Sequence, residues 1–598
     1  MTNNADAAKS LASDASGPSS EFTLSFHNLE LSAERSGKRA KDVPNNLILD
    51  DVSGSLKSGQ FTCILGPSGA GKSSLLNVLS GYRKACVSGQ ILLDGSPLSE
   101  RQMRNLISYT PQTVALWLNL TVKESLSFAA DFKHSKTQTH HQKKQSRQNL
   151  QNILGLEKCS DTLVKNLSGG EFKRLSIALE LVSDPKIMLL DEPTTGLDSV
   201  VAHQVLNYVQ SLAERQRRAI CCVIHQPNSK VLRLFDNLLV LSQGRKMFGG
   251  TLDEMVEAFE KVGLECPISH NPADYALEVA RSVHGSDKLD RLISNAKEPN
   301  LERPLVTNEH ENSSIEQSKK LASFQQIILL LDRTTKCTMR DLYNFKARSL
   351  ICLVTGLLIG IAFYDTGNNA AKVLSNTSVL MIAVYSQCFT CIFSAILTFP
   401  LESATFVREH RNNWYDLTPY YISKIIVEVP ALIFSTSTSF FIIYYLTSQP
   451  WELFRIGVLW IISLLSGWLT LLMGLWFGTI YPMQTGIFAA IMIIIPISLF
   501  SGFFVTLKDM PWFLKPFTYL SYTRYSLEGA INAIYGFDRE ELECPEMFCY
   551  FTLNKFLAMF GMPELSWSFD VLGLTVGCLL LHVLIYLSLR KRIRQDAV

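Results

Sequence analysis

From Phe22 to about Leu241, short apolar runs alternate with stretches of helical period, the pattern of an α/β domain built on a largely buried sheet. Phe61–Leu65 reads as a strand running into a glycine-rich turn, and Lys186–Leu190 as a second strand ending on Asp191-Glu192. Between about Val283 and Lys320 the chain turns polar, with Pro299, Pro304 and many Asn, Glu and Ser, which predicts a flexible linker. After an amphipathic stretch around Phe324–Leu331 come six apolar segments, near 347–364, 379–399, 428–447, 456–478, 485–505 and 569–589. Each has roughly the twenty residues that a helix needs to cross a bilayer. The expected division is therefore a disordered N-terminus at 1–20, an α/β domain at 21–282, a linker at 283–323 and an all-α polytopic membrane domain at 324–598. Its largest segment on the far side of the membrane is 506–568.

Composition sharpens this division. The 598 residues exceed one ordinary core, and the averages of 47% hydrophobic and 18% charged hide a charged first half and an apolar second half. A net charge of only +2 argues against a nucleic-acid partner. Met1–Ser20 has no apolar stretch of the kind found in a cleavable signal peptide. Lys346 and Arg348 precede the first span, Arg408, His410, Arg411 and Lys424 follow the second, and Arg590, Lys591, Arg592 and Arg594 follow the sixth. Basic loops mark the cytoplasmic side, so the α/β domain and both termini are expected there.

Asn376-Thr377-Ser378 would then lie outside as a glycosylation sequon. Thirteen cysteines without a repeated CxxC spacing suggest neither a disulfide scaffold nor a zinc module. Cys544 and Cys549 fall in the outer segment and are candidates for a bridge to each other or to a partner chain. The basic stretch Lys133–Arg147, with His134, His140 and His141, reads as a solvated helical face or loop rather than a metal patch. Glu428 and His582 are ionisable residues at or inside predicted spans.

Gly66-Pro67-Ser68-Gly69-Ala70-Gly71-Lys72-Ser73 matches GxxxxGK[ST] between a strand and a helix, the context in which backbone N–H groups cradle phosphates. Lys72 is expected to reach the β- and γ-phosphates of ATP, and Ser73 to ligate Mg²⁺. Asp191 and Glu192, at a strand end about 120 residues on, suit Mg²⁺ binding and polarisation of the attacking water. His225 closes the apolar run Ala219–Ile224, where an imidazole can reach a γ-phosphate. Leu167-Ser168-Gly169-Gly170-Glu171 opens a further helix whose hydroxyl and N–H groups can also face phosphate.

With this last motif the chain resembles the ATP-binding cassette family, whose signature is LSGGE/Q. Gln112 and then Gly196-Leu197-Asp198 fall in family order. The resemblance implies a P-loop nucleotide-binding domain in which Glu192, His225 and Gln112 are catalytic. Ser73, Gln112 and Asp191 would hold Mg²⁺, and Asp198 would communicate across a dimer. It also implies that Ser168, Gly169, Gly170 and Glu171 act on the ATP of a second cassette, so one chain cannot complete a site.

Cassette before membrane bundle resembles the G, or White-type, half-transporters, as do His225-Gln226-Pro227, Asn271–Tyr275, Arg408–Arg411 and Ser501–Phe504. That likeness implies a second half-transporter as partner, contact with membrane lipid, and a cavity on the dimer axis for small apolar or amphipathic molecules. Phe389, Phe503 and Phe504 occupy the matching valve places. An exporter or floppase of lipid, sterol or amphipathic molecules is the leading expectation. The others are an obligate heterodimer carrying tryptophan- or purine-derived pigment precursors, and a regulatory ATPase that moves nothing. The plasma membrane is favoured over an intracellular vesicle.

Overall fold

A computed structural model describes residues 21–32, 47–83, 86–133, 140–267, 270–296, 321–507, 509–537, 539, 542 and 567–595. These fall into two compact units, one ending at Leu321 and including Arg411–Trp414, the other formed by Ala322–His410 and Tyr415–Gln595.

The first unit contains two sheets. Strands β1 (Thr23–Ser32), β2 (Leu47–Lys57), β4 (Val87–Leu93) and β5 (Ser96–Pro97) form an antiparallel sheet in the order β2-β1-β4-β5. The second sheet runs β10-β9-β3-β8-β7-β6, from β3 (Phe61–Leu65), β6 (Ile107–Thr110), β7 (Ile187–Asp191), β8 (Ala219–Val223), β9 (Asn237–Ser242) and β10 (Arg245–Gly250). All its neighbours are parallel except β9 and β10. Every residue of β3, β7 and β8 is buried, which is why these strands read as unbroken apolar runs rather than as alternation. The parallel strands carry Gly66, Glu192 and Ile224 just beyond their C-terminal ends, where open α/β sheets place ligands. Phe26, on β1, is 1% exposed inside the core.

Four helices of this unit matter below: α1 (Lys72–Leu79), α2 (Gly169–Leu181), α3 (Ser199–Gln216) and α4 (Ser286–Asn295). The last corrects the expected linker start. Its Leu289, Leu292 and Ile293 are buried at helical spacing, so the folded unit continues past residue 282.

The second unit is helical: α5 (Ser323–Arg340), α6 (Arg348–Ala362), α7 (Val373–Arg411), α8 (Leu417–Leu446), α9 (Leu453–Ile480), α10 (Met483–Leu499), α11 (Tyr522–Tyr535) and α12 (Trp567–Gln595). Among the described residues, five of its helices are long and apolar enough to cross a membrane, and α10, with 17 residues, is shorter. The six apolar segments are thus helical, with three departures from expectation. Helix α7 is 39 residues long and overruns the expected second span at both ends. Helix α10 stops at Leu499, so Phe503 and Phe504 stand in a turn around Gly502 (φ 87°) rather than on the span. Finally, the segment 506–568, expected on the far side of the membrane, contains the helix α11, every residue of which but Tyr525 is buried. Cys544 and Cys549 lie outside the described residues, as does His134.

Candidate functional site

The glycine-rich turn owes its shape to positions that side chains would obstruct. Gly71 precedes α1 at φ 95°, and a Cβ there would sit 2.8 Å from the Leu49 side chain. A Cβ on Gly66 would sit 2.5 Å from the Leu241 carbonyl oxygen. Only glycine fits either place. The turn thereby delivers Lys72 and Ser73 to the first turn of α1, whose free N–H groups form an anion-binding end.

Around it stand the polar groups from the neighbouring strand ends. Lys72 Nζ donates to the carbonyls of Gly66 (2.7 Å) and Pro67 (2.9 Å). Burial pushes this ammonium below its usual range, and Glu192 and Asp191 pull it back up. Ser73 Oγ donates to Asp191 Oδ1 at 3.2 Å, while Tyr109 OH reaches Asp191 Oδ2 at 3.3 Å. Burial raises the Asp191 carboxyl, with the Ser73 hydrogen bond acting against it and Glu192 adding to it. Glu192 has a left-handed backbone (φ 47°), uncommon for a residue with a Cβ and frequent where function imposes strain. Its Oε2 accepts from Gln112 Nε2 (2.7 Å) and Thr195 Oγ1 (2.8 Å). His225 Nε2 and Ser68 Oγ are 2.9 Å apart. Lys72, Ser73, Gln112, Asp191, Glu192 and His225 are therefore linked through the turn into one cluster.

The signature motif is organised differently. Ser168 caps α2 in a reciprocal box with Glu171, whose Oε2 accepts from Ser168 N (2.9 Å) and Oγ (2.8 Å). Those two hydrogen bonds hold the Glu171 carboxyl below its usual range. A Cβ on Gly170 would meet Val201 Cγ1 at 2.5 Å. Among the described residues no hydrogen bond joins Ser168–Glu171 to the turn Gly66–Ser73. Asp198 caps α3, its Oδ1 accepting from Val200 N (3.0 Å) and Val201 N (2.9 Å).

Sequence reasoning overlooked three residues here. Tyr109 and Thr195 each hold one of the paired carboxylates, and Lys173 Nζ donates to the Gln112 carbonyl at 2.9 Å. Tyr109 stands three residues before Gln112, near the end of β6, and that place was the available signal. Nothing in the linear pattern marks Lys173.

In the helical unit Phe389 is 38% exposed and stacks on Phe393 (5.8 Å), one turn further on. Phe504 lies 6.4 Å from the ring of Tyr385, one turn before Phe389, and its own neighbour Phe503 stands edge-on to it at 5.3 Å. Tyr385 OH donates to the Ser498 carbonyl, fixing the end of α10 against α7. Asn376 is fully buried, its amide donating to Tyr535 OH (2.7 Å) and accepting from Gln449 (2.6 Å). A glycan has no room there, which corrects the sequon reading. Glu428 is buried between Lys424 (3.0 Å) and Arg348 (3.7 Å), a structural charge pairing rather than a free group near a membrane edge. His582 is held between Tyr421 OH (2.7 Å) and Trp468 Nε1 (3.3 Å).

Comparison with known proteins fits this geometry. Residues 49–195 match the family described as ABC transporter, and 325–535 match ABC-2 type transporter. The chain is 30% identical to Protein white of Drosophila melanogaster over 92% of its own length and 84% of that relative's. The chain belongs to the White and G-type half-transporter family. It is also 30% identical to the broad substrate specificity ATP-binding cassette transporter ABCG2 of Mus musculus, covering 71% of this chain and 70% of the relative. A third relative, the ABC transporter ATP-binding protein/permease wht-1 of Caenorhabditis elegans, is 29% identical over 81% and 77%. This half-transporter is accordingly a nucleotide-binding ATPase coupled to transport, and a membrane protein.

Proposed function

We propose that two copies of this half-transporter pair to move a lipid, a sterol or another flat amphipathic molecule across a membrane. The observation that carries the pairing is that, among the described residues of one chain, the phosphate turn and the signature helix are each held by their own hydrogen bonds and none joins the two. A second copy would bring Ser168–Glu171 to the γ-phosphate held at Lys72.

The cluster suits the chemistry of hydrolysis. A γ-phosphate would draw Lys72 Nζ from the Gly66 and Pro67 carbonyls, exchanging two neutral acceptors for a charged one. Ser73 and Asp191 already converge, and with Gln112 they would hold Mg²⁺. The ion, when bound, neutralises charge on the transferring phosphoryl group. Glu192, oriented by Gln112 and Thr195, would polarise the attacking water, and His225, aligned by Ser68, would hydrogen-bond the γ-phosphate. Asp198, beyond capping α3, would relay the state of one site to the other.

The run Tyr385, Phe389, Phe393 and Phe504 is an aromatic face along α7 and the end of α10. It supports a cavity and valve at the dimer axis for apolar or amphipathic cargo, with Phe503 alongside. Export, a plasma-membrane location, and a cytoplasmic cassette with cytoplasmic termini complete the proposal, supported by the basic residues flanking the spans. The resemblance to White-type half-transporters leaves a second reading, an obligate heterodimer with a different half-transporter.

Complementation tests the shared site. Lys72→Ala and Ser168→Arg chains are each expected to lack ATPase activity, while an equal mixture regains a fraction of it, because mixed pairs hold one intact composite site. Failure of the mixture, with both chains folded and associated, would contradict the homodimer.

A further inference from the structure

Helix α11 carries Arg524, Glu528 and Asn532 on successive turns, and all three are buried. Glu528 Oε2 accepts from Arg524 Nε at 3.3 Å, and Arg524 is further held by Thr518 Oγ1 (2.6 Å) and by the Tyr519 ring, 4.5 Å away. The other oxygen, Oε1 of Glu528, has no hydrogen-bond partner among the described residues. Facing this group is Asp570 in the first turn of α12, fully buried, with neither carboxyl oxygen partnered. Its Cβ and Oδ2 occupy the space left by Gly529, each 3.3 Å from where a Cβ there would stand.

The charges nearby do not balance two carboxylates. On α11 the remaining titratable groups are Tyr522, Tyr525 and Tyr535, none of them a cation; the Tyr525 hydroxyl donates to the Tyr519 carbonyl and that of Tyr535 accepts from Asn376. From α9 comes one charged residue, Arg455, committed to Glu452 (2.8 Å) and to the carbonyls of Gly536 (2.6 Å) and Phe537 (3.0 Å). On α12 itself Cys578 and His582 stand two and three turns further along, His582 tied to Tyr421 and Trp468. Among the described residues, two buried carboxyl groups thus face one available guanidinium, with three carboxyl oxygens unpartnered. An ionised carboxylate in that position would bear the full cost of desolvation, and a buried carboxyl avoids it by holding a proton.

We propose that Glu528 and Asp570 form a proton-binding site, sharing one proton against the single charge of Arg524. The bound proton supplies a donor to the orphaned oxygens and leaves the cluster neutral. A conformational change that admits water between α11 and α12 releases it, which makes the transport cycle respond to pH on the side to which that gap opens. The site does not depend on the identity of the cargo.

Infrared difference spectra of the full chain in lipid nanodiscs test this by counting protonated carboxyls. Wild type minus Asp570→Asn and wild type minus Glu528→Gln should each show loss of one carbonyl band of a protonated, D2O-sensitive carboxylic acid, since either variant leaves one carboxylate for one arginine. Arg524→Gln should gain a second such band; if that variant does not fold, the first two decide. Loss of an ionised carboxylate band in the Asp570→Asn difference would overturn the proposal and leave buried water as the partner of these oxygens. A carboxylate band that shifts on exchanging sodium for potassium would overturn it in favour of a bound metal cation.

Discussion

Asp191 sits where burial and phosphate chemistry pull in opposite directions. Its carboxyl is raised by burial, so the folded protein holds a proton there more tightly than the unfolded chain does. The sign follows: this contribution is fully present below the ordinary carboxylate range and is lost as pH rises through the folded value. Asp191→Asn should therefore raise the thermal midpoint of the nucleotide-free protein at neutral pH and flatten its fall between acidic and neutral buffer. A gain of about 1 kcal/mol would move the midpoint by roughly 2–4 °C. Equal pH dependence in the two proteins would contradict it. At Asn376 the buried amide network predicts the opposite of a modification site. Enzymatic deglycosylation should leave the mobility of the wild-type chain unchanged, and Asn376→Ala should lower stability by about 1–3 kcal/mol through its unsatisfied partners.

At the level of elements, α7 and α9 pack backbone to backbone at Gly474. A Cβ on Gly474 would stand 2.6 Å from the Ile392 carbonyl oxygen, a backbone atom with nowhere to go. Gly474→Ala is expected to destabilise the helical unit by about 1–3 kcal/mol, as overpacking does. Gly457, on the same helix with nothing near it, should tolerate alanine or gain up to about 1 kcal/mol from helix propensity. Thermal unfolding of both variants in detergent checks the contrast. These helices were largely legible because lipid-facing helices declare themselves by hydropathy, and the phosphate turn because its glycines sit between a strand and a helix. The rest was hidden for physical reasons. Helix α11 contains Arg524, Glu528 and Asn532, too polar for a hydropathy window, yet it is enclosed by other helices rather than by lipid. The overrun of α7 is likewise invisible to hydropathy, since its polar last turns, Ser403–Arg411, are largely packed against protein. In the cassette, Lys173 meets Gln112, 61 residues away in the chain, only in the folded domain, whereas Thr195 meets Glu192 three residues away through the local turn.

For the whole molecule the claim is that one gene product suffices: a chain with one phosphate turn and one signature becomes an ATP-driven machine by pairing with itself. The cluster at Glu192 makes this directly measurable, because removing its charge leaves Gln112 and Thr195 in place while removing the group that polarises water. The measurement is vanadate-sensitive ATP hydrolysis by this chain expressed alone, purified and reconstituted in lipid, beside Glu192→Gln. The account predicts hydrolysis by the wild type and a fall of about 10²-fold or more in the variant. A folded, reconstituted wild-type chain that hydrolyses no ATP, even with lipids and sterols supplied, would contradict it and require a different half-transporter as partner.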